Sequence, residues 1–118
     1  MQNRSIALAA AALATLVFCG PADAAKKQTV TGIDQIHAQK RVGRKTCFTD
    51  HDHYGEATMP SRKVAEKLAI RQWEIFTANE YGSAWGSYAK AVAKRVNCEK
   101  NAASWTCKLH AIPCRSGR

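Results

Sequence analysis

The feature that most constrains this short basic chain is its set of five cysteines. Cys19 lies in an N-terminal segment that we expect to be cleaved, which leaves Cys47, Cys98, Cys107 and Cys114 in the mature chain. The chain has 118 residues, which suffices for one small domain and rules out a multi-domain enzyme or a protein with several membrane spans. A core of this size benefits from covalent cross-links, and an even number of cysteines in a short exported chain is typical of disulfides. We therefore expect two disulfides.

Residues 1–24 have the pattern of a secretory signal peptide. Arg4 precedes an apolar run over 6–19 that is shorter than a membrane span, and Ala22-Asp23-Ala24 provides small residues for cleavage after position 24. This segment holds one basic and one acidic residue, so the mature chain keeps the net charge of +9. The pattern predicts a periplasmic or secreted protein without a transmembrane span in the mature chain.

The mature chain divides into a basic N-terminal arm, 25–45, and a small disulfide-stabilised α+β domain, 46–118. The arm is rich in lysine and arginine and poor in large aliphatic residues. A flexible segment and a docked edge strand or short helix are both compatible with that composition. Residues 46–60 are polar and rich in turn formers, which predicts a loop tethered by Cys47.

The clearest element is an amphipathic helix over 61–81, with Ser61 as N-cap and Gly82 as the stop. At 100° per residue, one half of its circumference is apolar and the other carries charged residues. The predicted core face consists of Val64, Ala65, Leu68, Ala69, Trp73, Ile75 and Phe76.

A second helix is predicted over about 84–94, capped by Ser83. Trp85, Tyr88 and Val92 would share its inner face, and Gly86 weakens its first turn. The two helices could also form one kinked helix.

A β-hairpin is predicted over 95–112, with its turn in 101–104. If the turn centres on 102–103, Cys98 lies opposite Cys107, within bridging distance. The remaining pair would be Cys47–Cys114, although the cysteine count by itself allows three pairings. The expected fold is thus α+β, with one or two amphipathic helices packed on a C-terminal, disulfide-stapled hairpin.

The spacing of aromatic residues and cysteines over about 65–115 is similar to that of small exported proteins of alpha-proteobacterial type that have no assigned function. The resemblance implies a disulfide-linked helix-plus-hairpin unit and no particular activity. It rests on Gln72-Trp73-Glu74, Phe76-Thr77, Tyr81-Gly82, Trp85, Tyr88, Cys98, Trp105-Thr106-Cys107 and Ala111-Ile112-Pro113-Cys114.

Basic side chains provide the strongest functional signal. Lys63, Lys67 and Arg71 recur every four residues on the first helix, and Lys90 and Lys94 repeat the spacing on the second. Like charges at this spacing cost some helix stability. A surface for phosphate, nucleic acid, lipid headgroups or acidic envelope polymers would explain them, and so would a merely solvated face.

A second candidate site is the segment Asp50-His51-Asp52-His53, with Glu56 nearby. In an extended segment His51 and His53 point to one side and the two aspartates to the other. A His-x-His pair completed by a carboxylate suits Zn, Cu or Ni, whereas a hydrated turn is the plain alternative.

No spacing links an acid and a base into a catalytic arrangement, and phosphate-loop, zinc-finger and nucleophile-elbow motifs are missing from the sequence. We therefore expect a non-enzymatic protein with no cofactor that binds an anionic partner through basic helix faces. A metal-binding envelope protein using His51 and His53, and an accessory domain that docks on a protein partner, are the competing hypotheses.

Overall fold

The structure is a computed structural model that describes residues 27–117. The predicted signal peptide lies outside the described residues. Among residues 27–117 no helix is both long and apolar enough to cross a membrane. In chain order the elements are a 3-10 helix (Ile33–Ile36), β1 (Gln39–Val42), β2 (Lys45–Phe48), β3 (His53–Met59), α1 (Arg62–Tyr81), β4 (Val92–Asn101), β5 (Ser104–Ile112) and β6 (Cys114–Ser116).

The strands form two antiparallel sheets with the orders β1-β2-β6 and β3-β5-β4. The chain passes from β5 in the larger sheet to β6 in the smaller one at Pro113, which has no N–H for a strand ladder. The Pro113 carbonyl accepts a hydrogen bond from the Phe48 amide at 3.2 Å and so joins β2 to this corner. The expected α+β class is confirmed at this level.

The C-terminal hairpin has the expected register. Asn101 pairs with Ser104, and Cys98 pairs with Cys107, to which it is linked by a disulfide. The first strand begins at Val92, three residues before the predicted start, and a register shift lies between Val92 and Arg95.

The second disulfide, Cys47–Cys114, joins β2 to β6 across 67 residues of sequence. Both cysteines are fully buried. The structure thus contains the two cysteine pairs that the hairpin register led us to expect.

Helix α1 starts one residue after its N-cap, Ser61, and ends before Gly82, as predicted. Gly82 has a φ of +98°, and a Cβ there would collide with the backbone of Thr29. Residues of the N-terminal segment satisfy carbonyls at this helix end: the Thr31 amide donates to the Tyr81 carbonyl at 3.1 Å, and the Thr31 hydroxyl donates to the Glu80 carbonyl at 2.7 Å.

The buried face of α1 is narrower than predicted. Ala65, Ala69 and Trp73 are buried, and two polar residues, Thr77 and Tyr81, continue the same i, i+4 stripe. Four other members of the predicted core face are partly exposed, with exposed fractions of 38–54%. These are Val64, Leu68, Ile75 and Phe76.

A close helix–strand contact explains the narrow stripe. Gly55 of β3 lies directly under α1, where a Cβ would clash with the Ala69 carbonyl and lie 3.0 Å from the Trp73 Cβ. Small residues at 55, 65 and 69 let the helix approach the sheet closely, so a single row of side chains fills the space between them. The larger aliphatic residues therefore remain outside this core.

The predicted second helix over 84–94 is wrong. The segment contains two turns, closed by bonds from the Trp85 amide to the Gly82 carbonyl and from the Ala91 amide to the Tyr88 carbonyl, and then enters β4. A helix would place Trp85 and Tyr88 on one face. In the fold Trp85 stacks on Phe48 at 4.3 Å between ring centroids, whereas Tyr88 contacts Trp73 at 5.5 Å, so the two rings belong to different clusters.

The basic segment 25–45 is described from residue 27 onwards, and there it is docked on the domain. It contains the 3-10 helix and β1, which pairs with β2 from Gln39↔Phe48 to Val42↔Lys45. The loop expected over 46–60 is replaced by β2 and β3, with only 49–52 between them.

Candidate metal centre

Three histidines from three separate positions meet at the junction of the two sheets. His37 follows the 3-10 helix, His51 lies between β2 and β3, and His53 is the first residue of β3. The pairing of β1 with β2 continues through a bond from the Thr49 amide to the Ala38 carbonyl at 2.9 Å, which brings the two ends of this hairpin together. The imidazoles of His37 and His51 stack with their centroids 4.2 Å apart.

The last turn of α1 supplies two further polar groups. The Tyr81 hydroxyl lies 2.8 Å from His51 Nε2, 3.1 Å from His37 Nε2 and 3.3 Å from His53 Nε2. Glu80 Oε2 lies 3.4 Å from His53 Nε2, and the Nε2 atoms of His51 and His53 are 3.2 Å apart. We call these five residues, His37, His51, His53, Glu80 and Tyr81, the histidine cluster.

Thr77 sets the tautomer of His53. Its hydroxyl donates its one hydrogen to the Trp73 carbonyl at 2.7 Å, so it can only accept from His53 Nδ1, which lies 2.9 Å away. His53 therefore carries its proton on Nδ1, and its Nε2 lone pair points towards the other histidines. Metal-binding histidines are oriented by the same kind of bond through their second nitrogen.

Burial and nearby charges determine which groups of the cluster are protonated. Burial lowers the pKa of His53 to about 4, although the nearby Glu80 opposes that shift, so His53 is neutral at pH 7. Burial, and then a hydrogen bond with Glu80, raises the pKa of Tyr81, so that its phenol keeps its proton. An unprotonated Nε2 therefore faces a carboxylate oxygen and another imidazole nitrogen, an arrangement that a bound cation would stabilise.

The spacing of these atoms suits a tetrahedral ion. Zinc–ligand bonds of about 2.0–2.1 Å place neighbouring ligand atoms about 3.3–3.4 Å apart in a tetrahedron. The observed separations of 3.2 Å for His51–His53 and 3.4 Å for His53–Glu80 agree with that edge. Ligand atoms of His37, His51 and Glu80 form a second group, in which all lie within 4.8 Å of one another, and His53 contacts two of these three residues.

Aromatic side chains surround the cluster. Phe48 packs against His37 and Tyr81, with centroid distances of 5.2 and 4.8 Å, and Phe76 lies 5.0 Å from His53. The Trp73 indole N–H donates to the His53 carbonyl at 3.0 Å and fixes the backbone of that residue. An apolar shell of this kind limits the access of water to a metal.

The acidic neighbours predicted to complete the site are directed elsewhere. Asp52 accepts hydrogen bonds from Arg95 at 2.8 Å and His110 at 3.1 Å, on the side away from the histidines. Glu56 accepts a hydrogen bond from Tyr54. The predicted alternation along 50–53 is therefore present, and Glu80 occupies the place expected for the nearby carboxylate.

The predicted anion-binding residues are only partly brought together. Lys63, Lys67 and Arg71 are exposed along α1, and none forms an ion pair with another residue of 27–117. The predicted second basic helix face does not exist, because Lys90 lies in a turn and Lys94 lies in β4 over the Tyr88 ring at 4.9 Å.

Four residues at this site were not predicted as site residues from the sequence, namely His37, Thr77, Glu80 and Tyr81. The available signal was the helix period: Trp73, Thr77 and Tyr81 continue the buried stripe of Ala65 and Ala69, and polar groups on such a stripe need buried partners. His37 carried no such signal, because its position depends on how β1 pairs with β2.

No family profile, curated protein or solved structure matches this chain.

Proposed function

We propose that this protein binds a divalent transition metal ion at the histidine cluster. The observation that carries the proposal is the convergence of three imidazoles and one carboxylate. Ligand atoms of His37, His51 and Glu80 lie within 4.8 Å of one another, and His53 Nε2 lies 3.2 Å from His51 Nε2 and 3.4 Å from Glu80 Oε2. His37, His51, His53 and Glu80 are the proposed ligands, and the Tyr81 hydroxyl lies beside them. The predicted pair His51 and His53 thus forms half of the proposed set.

The ligand chemistry favours Zn²⁺ and Cu²⁺ over harder cations. Imidazole suits zinc and copper, whereas magnesium and calcium prefer sites built from oxygen ligands. The tetrahedral spacing fits Zn²⁺ best, and the order of intrinsic affinities favours Cu²⁺ when both are present. Metal should bind more weakly as the pH falls, because the imidazole nitrogens must be unprotonated to coordinate.

Titration calorimetry with Zn²⁺, Cu²⁺ and Mg²⁺ tests the proposal. We expect one Zn²⁺ or Cu²⁺ per chain, no binding of Mg²⁺, and an affinity reduced by more than about a hundredfold in His37→Ala and His51→Ala. His110→Ala is the matched control, because His110 contacts Asp52 and lies outside the cluster. Equal affinities in the wild type and the two ligand variants would reject the site.

A binding role is favoured over catalysis by the number of protein ligands, because four of them would leave a tetrahedral ion no open position for water or substrate. The buried Tyr81 hydroxyl lies within 3.3 Å of all three Nε2 atoms, so its phenol must turn aside for the metal to enter. The two disulfides support a role in an oxidising compartment, the periplasm or the exterior of the cell.

A second candidate function is the binding of an anionic partner through α1 alone. It is favoured by the exposed row of Lys63, Lys67 and Arg71, which have no ion-pair partner among residues 27–117. Retention on heparin at increasing NaCl concentration tests it, and we expect the Lys63→Gln/Lys67→Gln/Arg71→Gln variant to elute at lower salt than the wild type.

A further inference from the structure

The outward face of α1 combines positive charge with exposed aliphatic side chains. On a helical wheel an arc about 140° wide, centred opposite the buried stripe, contains no acidic residue. Within it Val64, Leu68 and Ile75 are 41%, 38% and 40% exposed. The arc consists of Val64, Lys67, Leu68, Arg71, Gln72, Ile75, Ala78 and Asn79.

The three acidic residues of α1, Glu66, Glu74 and Glu80, lie outside this arc, and Glu74 is the nearest, about 20° beyond Lys67 on the wheel. Glu74 is half-buried and accepts a hydrogen bond from the Tyr88 amide at 3.2 Å. Glu80 belongs to the histidine cluster. Neither Lys67 nor Arg71 forms an ion pair within residues 27–117, so the outward face keeps its positive charge. Lys63 lies about 40° outside the arc, on the far side of Glu74.

We infer that this face docks on an anionic phospholipid bilayer, with α1 lying parallel to the membrane surface. The inference rests on the second candidate function and names its partner. A helix of 20 residues is about 30 Å long and presents one straight edge of the domain. Lysine and arginine beside aliphatic side chains are typical of interfacial helices, because the aliphatic groups enter the headgroup region while the charges meet lipid phosphates.

The aliphatic side chains distinguish a bilayer from a soluble polyanion. An acidic polymer or nucleic acid would use the three cations, but it would leave Leu68 and Ile75 in water. A bilayer would bind the cations through its lipid phosphates and would also cover Leu68 and Ile75. Binding to a membrane therefore requires both kinds of residue, whereas binding to a polymer requires only the charged ones.

Sedimentation with phosphatidylglycerol and phosphatidylcholine vesicles tests the inference. The oxidised protein is isolated from the producing cells, with the same N-terminus in every variant. We expect binding to phosphatidylglycerol and little to phosphatidylcholine. Lys63→Gln/Lys67→Gln/Arg71→Gln should weaken binding roughly a hundredfold, and Leu68→Gln/Ile75→Gln about tenfold.

Two control variants carry equivalent substitutions at positions outside α1. Lys40→Gln/Arg44→Gln/Lys108→Gln removes the same three charges from exposed strand and turn positions, and Ile36→Gln/Val96→Gln removes two exposed aliphatic side chains outside α1. Both controls should bind vesicles within about threefold of the wild type. A control that loses as much as its α1 counterpart would overturn the inference.

Heparin separates this inference from the function on which it rests. The membrane inference would be overturned if the protein were retained on heparin but did not bind phosphatidylglycerol vesicles. It would also be overturned if Leu68→Gln/Ile75→Gln bound the vesicles as well as the wild type. Either result would leave anion binding in place. Failure to bind either heparin or vesicles would reject both.

Discussion

The two sheets are each cross-linked by one disulfide between neighbouring antiparallel strands, yet they are assembled in opposite ways. The larger sheet contains the β4–β5 hairpin, and Cys98 and Cys107 are only 9 residues apart in sequence. The smaller sheet joins strands of four, four and three residues, and Cys47 and Cys114 are 67 residues apart. Local pairing builds one sheet, whereas the other depends on contacts between distant parts of the chain.

The two halves of α1 contact different parts of the fold. Its first half packs Ala65 and Ala69 closely against the larger sheet, and its second half brings Thr77 and Tyr81 to the junction with the smaller one. The histidine cluster lies at this junction. Close packing of small residues holds the first region together, and hydrogen bonds among polar and aromatic side chains hold the second.

The largest expected effect on stability comes from removing each disulfide, which tests the difference between the two sheets. In the chain-entropy account, loops of these lengths predict a loss of about 4 kcal/mol for Cys47→Ala/Cys114→Ala and about 2.5 kcal/mol for Cys98→Ala/Cys107→Ala. Denaturant unfolding of both double variants measures the two losses. A larger loss for the hairpin disulfide would mean that the smaller sheet is held chiefly by other contacts.

Acidification should weaken the junction specifically. The pKa of His53 is near 4 in the folded chain and near 6.5 in the unfolded one, so between these values the unfolded state takes up a proton that the native state does not. The stability of the metal-free protein should be unaffected by His53 above pH 6.5 and fall as pH decreases. The loss should level off below about pH 4, at roughly 3 kcal/mol.

Unfolding of His53→Gln and His110→Ala across pH 3.5–7.5 provides the measurement. In His53→Gln the free energy of unfolding should differ little between pH 6.5 and pH 4, whereas His110→Ala should show the same decrease as the wild type. The same pH profile for wild type and His53→Gln would show that another group is responsible.

Metal should compensate in part for the missing long-range disulfide. A ligand at a hundred times its dissociation constant stabilises the native state by about 2.7 kcal/mol. Zn²⁺ should therefore raise the unfolding temperature of Cys47→Ala/Cys114→Ala, because the metal and this disulfide hold the same junction. Adding His51→Ala to that variant should abolish the rescue, whereas adding His110→Ala should leave it unchanged.

The sequence predicted the elements that depend on local signals. Ser61, the helical period and Gly82 gave the correct ends of α1, although the Ser61 side chain makes no capping hydrogen bond. The turn over 101–104 gave the correct hairpin register. The smaller sheet was missed because its strands are too short to give a periodic pattern and its partners are distant in sequence. The position of His37 follows from that sheet, so the full histidine cluster could not be inferred from residues 50–53.

The burial errors have a different origin. Residues such as Leu68 and Ile75 were assigned to the core by hydrophobicity, but the width of a buried face also depends on how closely the helix approaches the sheet. Gly55, Ala65 and Ala69 allow a close approach that leaves no room for neighbouring rows. The small size of Ala65 and Ala69 was visible in the sequence, whereas the facing glycine on β3 was not.

The smallest effect concerns Thr77, which we expect to act as a positioning residue. Its hydroxyl holds the proton of His53 on Nδ1 and so leaves Nε2 available to a metal. Thr77→Val keeps the shape but removes the acceptor, which should cost about 1 kcal/mol of stability and reduce Zn²⁺ affinity ten- to a hundredfold. Thr77→Ser keeps the hydroxyl and should restore the affinity. A merely structural role predicts lower stability with unchanged affinity in Thr77→Val, so calorimetry and denaturant unfolding of both variants decide whether the junction uses this hydroxyl to orient its buried histidine.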